Sequence, residues 1–127
     1  MAEIVESTEK YKSQSVHYLE NALRFIDAGD AEKASEFLWG SMAEAIKAVA
    51  ASKGITFKSH RALRDYAIGL AKELKDDSIR NDFDHAQSLH SNFYETGLLI
   101  EDVVMCAEDV RATVAKLLSL IPKEEPI

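Results

Sequence analysis

Apolar residues recur along the chain at spacings of three and four, the pattern of helices that turn one face to a core. From about residue 4 to 28, Tyr11, Ser15, Tyr18, Ala22 and Phe25 form one stripe, which Leu19, Leu23 and Ile26 widen. Gly29 can take the left-handed conformation that ends a helix, and Asp30 can cap the next. The stretch that follows, "AEKASEFLWGSMAEAIKAVAASKG", is apolar on almost every side. Leu38, Trp39, Met42, Ile46 and Val49 supply bulk, and the many alanines admit close neighbours. This pattern predicts a central helix, covered by several others or by a second subunit.

Gly54 stops that helix, and "ITFKS" reads as a loop. Ser59 caps a third helix with Leu63, Tyr66, Ala67, Leu70 and Leu74 on one face. Asp76 or Asp77 caps a fourth, which runs to Gly97. In the fifth, Glu101 and Asp102 suit the positive first turn. Ile100, Val103, Val104, Ala107, Val110, Val114, Leu117, Leu118 and Ile121 repeat with helical period there, and Pro122 ends it. No strand pattern competes. Short connections make neighbouring helices antiparallel, so the expected fold is an all-α, up-and-down bundle of about five helices.

The chain has 127 residues, the size of one domain, with a short polar tail over 122–127. Its N-terminus lacks the basic flank and apolar run of a signal peptide, and no apolar stretch approaches the ~20 residues that span a bilayer. Cys106 is the single cysteine, which fits a reducing cytoplasm. The net charge of −7 argues against sequence-independent binding along duplex DNA, although a local basic site remains compatible with it.

Candidate chemistry gathers in the fourth helix, at "AQSLHSNFYE". Ile79, Phe83, Ala86, His90, Phe93 and Gly97 fall on one seam, so His90 is expected among apolar neighbours as a partly buried ring. Asn92 and Tyr94 point away from the centre of the seam and are candidates for lining a groove. The four histidines show no metal-binding spacing, and the glycines form no phosphate-binding loop, so neither a metal nor a cofactor is implied. Arg80 and Asp84 stand one turn apart, the spacing of an ordinary surface ion pair.

Three segments in this order, "EKASEFLWGSMAEAIKAVAASKGI", "SHRAL" and "AQSLHSNFYE", resemble the archaeal PaREP family within the wider HEPN superfamily. The resemblance covers about residues 18 to 121. It implies a HEPN-like helical bundle assembled as a homodimer. It also implies one of two activities. The first is a non-catalytic module that binds a nucleotide, RNA or a protein partner in a groove at the fourth helix, with His90, Asn92 and Tyr94 at the ligand or the subunit contact. The second is a metal-independent endoribonuclease of a toxin–antitoxin system, partnered by a small nucleotidyltransferase-type protein. Active HEPN ribonucleases carry an Arg with a His five to seven positions on, and "RNDFDH" supplies Arg80 and His85. In that reading the 2′-hydroxyl of RNA attacks its own phosphate, His85 moves a proton and Arg80 holds the phosphoryl oxygens. A structural or regulatory dimer without a ligand is the remaining alternative. The non-catalytic module is preferred.

Overall fold

The computed structural model describes residues 2–96 and 99–122, with the backbone alone for residues 92–96. Five helices and no strand lie among the described residues: α1 (Ala2–Asp27), α2 (Ala31–Ala51), α3 (His60–Leu74), α4 (Asp77–Thr96) and α5 (Ile100–Ser119). The all-α bundle is the one the hydrophobic spacing requires.

The helix ends follow local chemistry. Asp30 caps α2 by accepting from the Lys33 amide, and Ser59 caps α3 by accepting from the Ala62 amide. Asp76 accepts from the Ser78 amide at the start of α4. Gly29 and Gly54 take φ of 75° and 76° where α1 and α2 stop. At each, the amide of the following residue reaches five residues back, Asp30 to Phe25 and Ile55 to Ala50, so carbonyls of the last turn are satisfied.

Helix α2 is central, as expected, and touches each of the other four. Its closest partner is α1. The two run antiparallel, fixed by a buried reciprocal pair in which each serine donates to the other's carbonyl, Ser15 to Ser41 and Ser41 to Ser15, both at 2.8 Å. A Cβ at Gly40 would stand 3.0 Å from the Tyr18 ring, so the absence of a side chain there lets α1 approach. Leu38, Met42, Ile46 and Val49 of α2 meet Leu63, Ala67 and Leu70 of α3, Ile79, Phe83 and Ala86 of α4, and Val103, Val110 and Leu117 of α5 in one core. Cys106 is fully buried in it, and its thiol is pushed up to about 12 by burial, then by Asp82 and Asp109.

Three faces depart from the spacing. Leu74 is exposed, because α3 ends there. Val104, assigned to the α5 stripe, sits at its edge and is also exposed. The third departure is His90. Ile79, Phe83 and Ala86 are buried as expected, yet His90 is exposed, and the inward contact of that turn is made by Leu89.

Candidate functional site

Arg80 and His85 are both exposed on α4, and the chain directs them to opposite flanks. Arg80 Nε lies 3.9 Å from Asp84 Oδ2. Asp84 is in turn gripped by Arg64 of α3, whose Nε and Nη2 donate to its two oxygens at 3.1 and 3.2 Å. Asp84 thus ties the Arg80 side of α4 to α3, and its carboxylate raises the Arg64 pKa. Residue 85 lies roughly 140° around the helix from residue 80. His85 faces the α5 side, where its charge bears on Asp82. Asp82 accepts a hydrogen bond from the Thr113 hydroxyl of α5. Burial raises the Asp82 pKa above its ordinary 3.8, against the Thr113 hydrogen bond that lowers it, and Asp109 adds to the rise. Within one chain no hydrogen bond or ion pair joins Arg80 to His85 among the described residues. The side chains of Asn92 and Tyr94 lie outside the described residues.

The neighbouring end of α3 carries a cleft that the hydrophobic spacing does not disclose. Trp39 of α2, Phe83 of α4 and His60 of α3 meet there. The Trp39 ring contacts the Phe83 ring edge-on at 4.9 Å, and His60 stands 5.3 Å from Trp39 and 6.2 Å from Phe83, centroid to centroid. Outward of Trp39 a cleft of about 370 Å³ opens between α2 and the loop before α3, lined by Trp39, Lys47, Phe57, Lys58, Ser59 and His60 among others. The start of the "SHRAL" segment is thereby brought against Trp39 of α2 and Phe83 of α4. What assembles the cleft is the loop 52–59, which doubles back along α2 until His60 reaches Trp39, 21 positions earlier. A spacing rule that works within one helix cannot see that return.

Electrostatically the cleft runs against the rest of the molecule. The chain carries −7 overall, yet Lys47, Lys58 and His60 line this cleft, and Arg61 follows His60 in the chain. Helices α1, α2, α4 and α5 have an acidic residue in their first turn, while α3 has none and opens with His60 and Arg61. Lys47 is positioned rather than loose: its ammonium lies 3.4 Å from Glu44 Oε1 and 5.9 Å from the centre of the Tyr11 ring. Glu44 Oε2 and the Tyr66 hydroxyl are buried without a hydrogen-bond partner. Ser59 spends its side-chain oxygen on the helix cap and is not a free nucleophile.

No group of three His, Cys, Asp or Glu side chains among the described residues is placed to hold a metal ion. No helix among them is long and apolar enough to cross a membrane. A family model described as the archaeal PaREP1/PaREP8 family matches residues 10–114. A crystal structure of a protein from Sulfolobus solfataricus is similar in fold, with a TM-score of 0.75 and 24% identity over 86% of this chain and 97% of that one. No curated protein matches.

Proposed function

The chain belongs to the archaeal PaREP1/PaREP8 family, and on that premise we propose that it is a non-catalytic, homodimeric binding module of HEPN type, working in the cytoplasm. Its ligand is a nucleotide or RNA, held where the start of α3 meets α4. One observation carries the reading: the Trp39–His60–Phe83 contact opens onto a cleft lined by cations in an otherwise acidic chain. Aromatic faces and Lys side chains together suit stacked bases and phosphates. The geometry of α4 supports a role without cleavage. Arg80 is directed to Asp84 and the α3 flank, His85 to the α5 flank, and a phosphate held by one is not presented to the other within a chain. His90, Asn92 and Tyr94 fall to the subunit contact or the groove rim.

The test is a fluorescently labelled oligoribonucleotide incubated with the whole protein in chelator, followed by anisotropy and by denaturing gel. Saturable binding that weakens steeply with salt, with the RNA left intact, is expected. Products ending in 2′,3′-cyclic phosphate, lost about 100-fold in His85→Ala, would replace this reading with the ribonuclease. Failure of nucleotides and RNA to bind at all would leave a structural dimer or a protein partner.

A further inference from the structure

We infer that the cleft beside Trp39 is a binding site for an organic phosphate that carries a planar ring. This deepens the proposed binding function and rests on it. The cleft, at about 370 Å³, has the size of a site for one small molecule rather than for a groove-length polymer. Its wall supplies two chemistries at once. Trp39 and Phe57 offer apolar ring surface, on which a base or similar heterocycle can stack. Lys47, Lys58 and His60 line the same space, and its lining includes no carboxylate. The carboxylate nearest in sequence, Glu44, sits one helical turn from Lys47 and accepts from its ammonium through a single oxygen, with the Tyr11 ring 5.9 Å away.

The first turn of α3 adds to the same end. The amides of His60 and Arg61 precede the first intrahelical bonds, since Ala62 donates to Ser59 Oγ and Leu63 to the Ser59 carbonyl. They share the positive end of the helix with Lys58 and Arg61. A simple anion would make no use of Trp39, and an uncharged ring would make no use of the lysines. A phosphate joined to a ring uses both. Two sources present that chemistry, a free nucleoside monophosphate and the phosphorylated end of an RNA.

Trp39 is the only tryptophan in the chain, so its emission reports this cleft directly. The whole protein is titrated with adenosine 5′-monophosphate, adenosine, inorganic phosphate, and a short oligoribonucleotide with and without a 5′-phosphate. Saturable change with the monophosphate is expected, weaker by about tenfold or more with adenosine or with inorganic phosphate alone, as loss of one charge-assisted contact or one stacking face implies. A response confined to the 5′-phosphorylated oligomer assigns the site to an RNA end, and a response to the mononucleotide assigns it to a free nucleotide. Lys58 is on an exposed loop, so Lys58→Glu should fold normally and lose the response about tenfold or more. Equal affinity for inorganic phosphate and the monophosphate overturns the inference. Labelled RNA that binds Lys58→Glu and wild type equally also overturns it while leaving the binding module intact. No binding of any of these probes to the wild-type chain overturns both.

Discussion

Asp82 is the residue whose surroundings conflict most openly with its chemistry. It stands on α4 facing α5, half out of water, with Asp109 adding negative charge and the Thr113 hydroxyl, His85 and Lys116 opposing it. Burial wins, and its pKa lies above 3.8. A carboxyl group whose folded pKa is raised gives up nothing at low pH, where both states are protonated, and subtracts from stability once pH climbs through the folded value. At neutral pH the ionised Asp82 therefore weakens the α4–α5 contact. Asp82→Asn keeps an oxygen to accept from Thr113 and removes the charge. It should melt higher than wild type at pH 7, with the advantage shrinking to nothing below about pH 3.8. Thermal unfolding by circular dichroism at pH 7 and pH 3.5 reads this, and a variant that melts lower at pH 7 would show that the charged hydrogen bond outweighs burial. The opposite case is Asp76 at the α4 start, held down to about 2 first by Lys116 and Ser78. It supports folding above the ordinary carboxylate value and ceases to do so as pH falls from there toward 2.

At the level of elements, the end of α3 is the place where a local conformation is least suited to its residue. Lys75 takes φ 54° and ψ 43°, the left-handed geometry that closes a helix, and the Asp76 amide reaches back to the Ala71 carbonyl as it does after a glycine. A side chain in that region costs about 1–2 kcal/mol, part of which glycine returns as extra freedom in the unfolded chain. Lys75→Gly should therefore stabilise the fold by roughly 1 kcal/mol, or about 3–6 °C in midpoint. A midpoint at or below wild type would mean that the Lys75 side chain holds something the exposed turn does not suggest. This closure was invisible in the sequence because nothing but the chain's return marks it, whereas Gly29 and Gly54 announced the other two. The helices themselves were legible: Ser15 in an apolar stripe proved to be a buried interhelical serine, and the all-round apolar α2 proved central. Periodicity failed at His90: Ile79, Phe83 and Ala86 of its seam are buried, His90 is exposed and Leu89 makes the inward contact, while the Phe93 side chain and Gly97 lie outside the described residues. It was blind to the Trp39 cleft, whose walls come from a helix, a loop and the next helix start.

At the scale of the whole molecule the question is what covers the far end of the α4–α5 hairpin. The pairings Asp82–Thr113 and Asp76–Lys116 fix its register, and continuing that register brings Met105 level with His90. Met105 is 65% exposed and Leu99 64%, the most exposed large apolar side chains among the described residues, with Val104 between them. Scattered apolar residues on a surface mean little, but three exposed within seven positions at the start of α5 are what a subunit contact at this end would cover. A homodimer using this end would place the His90 of each copy at the contact and leave the Trp39 cleft, on the α3 side of α4, open to ligand. Met105→Glu sets a charge into that patch. Because the side chain is exposed in the monomer, the fold should melt within about 0.5 kcal/mol of wild type, while the dimer weakens by about tenfold or more. Sedimentation velocity across a concentration series distinguishes the outcomes. A wild-type chain that remains monomeric at high micromolar concentration removes the dimer altogether. A dimer unmoved by Met105→Glu, but weakened by an exposed α1 change such as Val16→Glu, keeps the assembly and shifts its contact to α1.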